Sequence, residues 1–408
     1  MASEDTLRYP PSNSTVRVRM IDTTAVMVVN AKMFVEPVQK GHEWININVA
    51  AFLIEHPASG KKAMFDLGVR KDYWNLPASM QKRLGFVVPA LRVDKDVTEI
   101  LQGKGVELDQ ISSVIWSHYH WDHTGSTELF PKTTELVVGP GFKAKMLPGY
   151  PHNVDSPVDS AAFEGRTLTE IDFSTTNLEI GGFRAYDFFG DESFYLLDTP
   201  GHCLGHVCGL ARTTPDPEST FILLGGDICH FSGDFRPSAK KPLPDPIPAE
   251  TLDEDSYFPT PCPCSFFADH HPMKVSEHSS VDGRATPFYR ISTDPSAAYV
   301  DPKTSQISVR KLANFDSDPS VLVCLAHDTA MMHGLPTLNE NPEDDLNAWR
   351  GRGLKEKIHW GWLNELPRDG KPGRKAVVEG FWRDMKPWPE ARDVMRKNGE
   401  KASKVGLH

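Results

Sequence analysis

The chain lacks what would tie it to a nucleic acid, a membrane or an oxidising compartment. No block of lysine and arginine interrupts a sequence with 55 acidic against 44 basic residues, so the positive surface that tracks a phosphate backbone is missing. Nucleic acid is therefore not expected as a partner. No stretch of about 18 apolar residues occurs, and residues 1–10 lack the charged start and apolar core of a secretory leader. The expectation is a soluble, cytoplasmic protein without a membrane partner. Cysteine is sparse, six in 408 residues, which in a chain of this length predicts reduced thiols rather than a disulfide framework. The one close pair, Cys262-Pro263-Cys264, fits neither a redox C-x-x-C nor a zinc knuckle.

Strand texture fills the first third. Residues 16–20, 26–29 and 48–55 are rich in apolar and β-branched side chains, and Ala63-Met64-Phe65 runs into Asp66-Leu67-Gly68, where Asp-x-Gly predicts a turn. A helix over 96–103 leads to the strand before residue 117, and further strands are predicted at 135–138, 183–188, 194–197, 206–211 and 221–224. From 231 to 295 periodicity disappears and prolines crowd, for example Pro242, Pro244, Pro246 and Pro248. A loop that long is not idle, so this segment reads as a folded-over insertion or lid. Asp301-Pro302 then opens a predicted helix over 302–315, followed by a strand over 320–326. Beyond 343, basic and aromatic positions alternate, predicting a helix packed on the body, with a tail that frays from about 397.

The chemistry collects at strand ends. The run His118-Tyr119-His120-Trp121-Asp122-His123 follows apolar Val114-Ile115-Trp116 and packs three imidazoles and a carboxylate into six residues. Imidazole nitrogen and carboxylate oxygen are what Zn²⁺ and similar ions accept, and clustering them has no packing advantage. Two residues of extended strand span about 6.6 Å, too far for several ligands to meet one ion at roughly 2 Å. The run must curl as a loop. Three more polar residues stand where apolar strands stop: His202 after Thr199-Pro200-Gly201, Asp227 after Gly225-Gly226, and His327. Each alone reads as a turn or a satisfied histidine. Once the first site is accepted, they become its partners.

In this order, His-x-His-x-Asp-His, Thr-Pro-Gly-His, Gly-Asp and a late His resemble the metallo-β-lactamase superfamily of binuclear hydrolases, over about residues 16–330. The first motif is specific and the others are weak alone. The resemblance implies an αββα sandwich in a catalytic domain over 1–342, with the 231–295 insertion and a C-terminal helical extension over 343–408. It also implies two Zn²⁺ per chain: His118, His120 and His202 on one, Asp122, His123 and His327 on the other, Asp227 bridging. A hydroxide shared by the ions would attack the substrate carbonyl, with Asp122 orienting it and carrying its proton.

The lactonase branch, of the acyl homoserine lactonase type, is the most similar. It implies a small-molecule substrate: a cyclic ester, or a related cyclic amide or carbamate. One departure stands out. Lactonases of this kind often carry Tyr three residues after the bridging Asp, where this chain has His230, a candidate catalytic donor. His206 is expected to hydrogen-bond behind the ligands, Tyr119 and Trp121 to wall the pocket or pack beneath the loop, and His270 and His271 to be solvated loop residues or to line a lid. Met33-Phe34, Trp44 and the 231–295 segment are expected to shape the pocket. Competing readings are a glyoxalase II-like thioesterase, a mono-iron persulfide dioxygenase-like enzyme, and a metal-stabilised binding protein. Oligomeric state stays open.

Overall fold

Period-two patterning sets the layers. In the computed structural model, which describes residues 7–254, 258–274 and 280–405, strand Phe194–Asp198 sends Phe194 and Leu196 into one buried cluster and Tyr195 and Leu197 into another. A strand apolar on both faces needs cover on both. It lies in a six-stranded sheet ordered Val321–Cys324, Phe221–Leu224, Val207–Arg212, Phe194–Asp198, Phe183–Asp187 and Glu179–Ile180, in which only the first pair is parallel. A seven-stranded sheet runs Ala90–Val93, Arg17–Asn30, Trp44–His56, Lys61–Phe65, Ile111–Ile115, Glu135–Val138 and Leu168–Glu170, antiparallel as far as Lys61–Phe65 and parallel beyond it. Both sheets are mixed.

Between them, Val18, Phe52, Ile54 and Phe65 pack with Phe194, Leu196, Ile222 and Leu224. Burying each such side chain contributes about 1.5–3 kcal/mol. Helix Val97–Gly103 covers the outer face of the larger sheet through Val97, Ile100 and Leu101. Helix Pro302–Ser317 covers the smaller through Val309, Leu312 and Phe315. The latter begins as its sequence predicts: the Asp301 carboxylate accepts from the Thr304 amide at 3.1 Å.

Several elements differ from expectation. Residues 16–20 and 26–29 form one strand, Arg17–Asn30, whose register shifts between Asp22 and Val26 where Thr24 adopts φ +60°. A bulge bends a strand without ending it. The proline-rich segment is tied down: Arg290–Ile291 pairs with Val35–Glu36, and Leu243, Phe267, Phe288 and Tyr289 share a buried cluster with Met27, Ile47 and Trp362. Its residues 255–257 and 275–279 lie outside the described residues.

The helix expected beyond 343 is confined to Leu354–His359, after glycine-containing turns in which Gly353 takes φ +64°. The aromatic positions there act as plugs, Trp349 in the cluster between the sheets and Trp360 and Trp362 in the cluster with Met27. Helix Ala391–Val405 runs past 397, and its Ala391 and Met395 join Met80 and Leu84 of helix Ala78–Val87 in one buried cluster. All six cysteines are free and buried. Among the described residues, no helix is long and apolar enough to cross a membrane.

Candidate metal centre

Four strand ends converge. After Ile111–Ile115 the chain turns through Ser117–His120 into the one-turn helix Trp121–Thr124, so the run curls. After Phe194–Asp198, Gly201 adopts φ +127°, and a Cβ there would lie 2.2 Å from the Ser305 amide nitrogen. Only glycine makes that turn, which delivers His202. After Phe221–Leu224, Gly226 sits at φ +50° with room for no Cβ, which would come within 2.9 Å of His206 Nε2 and of Ser117 Cβ. That close approach brings the Asp227 amide to His206 Nε2 at 3.0 Å. His327 follows Val321–Cys324.

All seven residues expected as ligands come together around the Asp227 carboxylate, which is 1% exposed. Its Oδ2 lies 3.5 Å from His118 Nε2 and 3.3 Å from His202 Nε2. Its Oδ1 lies 3.1 Å from His123 Nε2 and 3.0 Å from His327 Nε2. His202 Nε2 is also 3.0 Å from His120 Nδ1, and Asp122 Oδ2 is 3.6 Å from His327 Nε2. Four overlapping groups result among the described residues, each with ligand atoms within 4.8 Å of one another: His118, His120 and His202 with the Cys203 thiol; Asp122, His123 and His327; and two that share Asp227, with His118 and His123 or with His202 and His230. His230 Nε2 is 3.0 Å from Asp227 Oδ2.

The donor set fits divalent ions. His123 Nε2, His327 Nε2 and Asp227 Oδ1 are buried without a hydrogen-bond partner despite their proximity. Orphaned polar atoms that converge without hydrogen-bond alignment mark a place for something electropositive. Burial pushes His202 down to about 4 and His206 to about 3, and burial with neighbouring imidazoles holds His118 and His120 well below the usual histidine range. Neutral imidazoles offer lone pairs. Burial raises the Asp227 carboxyl, but the surrounding imidazoles, His123 first, outweigh it and the net shift is downward.

Behind the ligands stands a layer of which the sequence reading named only His206. Asp66, read as a turn residue, is buried at φ +60°. It accepts from the Ser117 amide at 2.7 Å, from Ser117 Oγ at 2.8 Å and from His123 Nδ1 at 2.8 Å. His327 Nδ1 meets the Asn48 carbonyl at 3.1 Å, and His206 Nδ1 meets Thr199 Oγ1 at 2.8 Å. Such partners fix ring orientation and tautomer. The available signal for Asp66 was its position: a carboxylate ending a buried strand beside the one that carries the histidine run.

A cavity of about 290 Å³ opens onto the centre, lined by Met27, Met33, Phe34, Ile47, Tyr119 and Trp121 among others. Its remaining wall differs from expectation. Trp44 is half exposed and borders a different cavity. The described residues of 231–295 contribute nothing to the lining; helix Ala78–Val87, through Met80, Arg83 and Val87, and Ala297 to Val300 supply it instead. His270 and His271 line a separate cavity, and His271 is buried against Phe288 rather than solvated.

Comparison with known proteins agrees with this architecture. The gamma-lactamase FDB1 of Fusarium pseudograminearum is 41% identical over 91% of this chain and 88% of its own length. The gamma-lactamase MBL2 of Gibberella moniliformis is 46% identical over 58% of this chain and 98% of its own. Among solved structures, an AiiA variant of B. thuringiensis holding N-decanoyl-L-homoserine shares the fold, with a TM-score of 0.50 and 16% identity over 82% of this chain and 99% of that one. With residues 46–281 matching the metallo-beta-lactamase superfamily profile around the converged histidines, the chain belongs to that superfamily.

Proposed function

We propose that the protein is a two-zinc hydrolase that opens a small cyclic amide or ester. The carrying observation is the Asp227 carboxylate, whose two oxygens each face a different pair of imidazoles beside an apolar cavity. In this reading His118, His120 and His202 hold one ion, Asp122, His123 and His327 the other, and Asp227 bridges them. Two ions bound there supply a nucleophilic hydroxide at neutral pH and polarise the substrate carbonyl. The chain does the rest. Asp122, half-buried at the cavity edge, takes up a proton and returns it to the leaving atom. His230 donates to the substrate from the side of Asp227 Oδ2. Met27, Phe34 and Ile47 hold an apolar ring and exclude water. A cyclic amide is favoured over a lactone because the two fungal relatives just described are gamma-lactamases.

The test is to strip the purified protein with a chelator, reload it with zinc, and screen γ-lactams, γ-lactones, cyclic carbamates and thioesters. Ring opening that returns as zinc approaches two per chain is the expected result. Cleavage of thioesters alone would move the assignment to a thioesterase. One iron per chain with oxygen consumption would overturn it.

A further inference from the structure

His230 is ambiguous on distance alone. Its Nε2 stands with His202 and Asp227 in a group that could hold a metal, so the ring is either a ligand or a donor. What decides between them lies on its other side. Nδ1 is 2.8 Å from the Tyr299 hydroxyl, which is buried and comes from a segment docked on the His202 turn, with the Val300 amide on the His202 carbonyl at 2.8 Å and the Asp301 amide on the Gly201 carbonyl at 2.9 Å. The ring plane is held as well, between Phe34 at 4.3 Å and His327 at 5.4 Å centroid to centroid.

We infer that Tyr299 sets the tautomer of His230, so that Nε2 carries the hydrogen and faces the substrate as a donor rather than binding metal. Donors and acceptors around the ring balance in one tautomer only. If the phenol donates to Nδ1, its hydrogen is used and the ring hydrogen is on Nε2, beside Asp227 Oδ2 at 3.0 Å on a ring that lines the cavity, where a substrate atom can accept it. If Nδ1 carried the hydrogen, the phenol would accept it and its own hydrogen would be stranded, because no other acceptor is recorded for that hydroxyl among the described residues. The Nε2 lone pair would then face a carboxylate. A buried unsatisfied donor costs about 1–3 kcal/mol, enough to decide between two tautomers of one ring. Tyr299 is thus a positioning residue, and its effect is to equip the pocket for a substrate atom with a free lone pair beside Asp227. The substrate contact rests on the hydrolase reading; the tautomer does not.

The experiment is nitrogen-15 NMR of histidine-labelled protein, zinc-free and zinc-loaded, with His230 assigned by difference against His230→Gln. The expected spectrum shows Nε2 protonated and Nδ1 as acceptor in both states, with zinc content unchanged in His230→Gln. Tyr299→Phe should mix the two tautomers and lower kcat on a cyclic amide about tenfold, with KM and zinc content little changed. If Tyr299→Phe does not fold, the wild-type spectrum decides alone. An Nδ1–H ring in the zinc-loaded protein, or a lost zinc in His230→Gln, overturns the inference. The expected signature without turnover on any cyclic amide or ester upholds the tautomer and overturns the hydrolase reading.

Discussion

Two clusters of buried charge meet at adjacent residues, His327 and Asp328, and they are built to opposite rules. His327 belongs to the metal centre. Asp328 belongs to a cluster in which Arg236 donates to Asp316 at 2.7 Å and to the His359 carbonyl at 3.2 Å, while Ser232 donates to Asp328 at 2.9 Å. Lys355 completes it by donating to the carbonyls of Asp316, Asp318 and Val321, each at 2.7 Å. Both ammonium and guanidinium are partnered, as a buried charge must be when it serves structure alone. On the His327 side, Asp227 Oδ1 and two imidazole nitrogens are left without hydrogen bonds. The difference separates a staple from a site: in one the charged groups Arg236, Lys355, Asp316 and Asp328 all find partners within the protein, and in the other a buried carboxylate oxygen does not.

That contrast can be broken by mutation. Asp227→Ala should cause the largest loss, lowering turnover by about 10³-fold or more and zinc content below two per chain, read by elemental analysis. Arg236→Met should leave zinc content near normal in the folded fraction but cost about 3–5 kcal/mol in urea unfolding, because Asp316 would remain buried without its partner. Equal zinc loss in both variants would erase the distinction. Asp66→Asn should fall between them: its contact with His123 Nδ1 is one layer behind the metal, where such changes weaken metal binding about 10–100-fold, measurable by competition with a chelator.

Acid sharpens the comparison further. Burial raises the Asp316 carboxyl, but Arg236 and His359 outweigh it and hold it well below the usual carboxylate range. A carboxylate depressed in the folded state adds stability above its unfolded value and loses it as pH falls. In zinc-free protein, the urea midpoint should therefore drop as pH is lowered from about 5 toward 3, and Arg236→Met should flatten that limb. Trp44→Ala should do least. Its ring is half exposed and outside the cavity on the metal centre, so KM on any turned-over substrate should change by less than about twofold.

Much of the centre was legible because ligand chemistry is local. Three imidazoles and a carboxylate in residues 118–123 have no use as packing, and Gly201 and Gly226 announce turns that place the next residue. Short, largely apolar runs likewise revealed the strands Phe183–Asp187 and Val207–Arg212 on either side of Phe194–Asp198. The bulge at Thr24 was not legible, since a polar interruption in a strand resembles its end. The C-terminal aromatics misled for a related reason. Trp349, Trp360 and Trp362 alternate with basic residues in a way that suggests one packed helix, but two different clusters draw them apart.

Sequence by itself determined the kinds of atoms at the centre, their order along the chain and the strand ends that carry them. These depend on neighbours a few residues away, where backbone geometry is predictable. Only the tertiary structure decided that Asp66 holds His123, that Tyr299 holds His230, and that helix Ala78–Val87 helps to wall the cavity. Those contacts join residues 57 and 69 positions apart. They exist because two sheets packing face to face bury polar groups that must then find partners wherever the fold brings them.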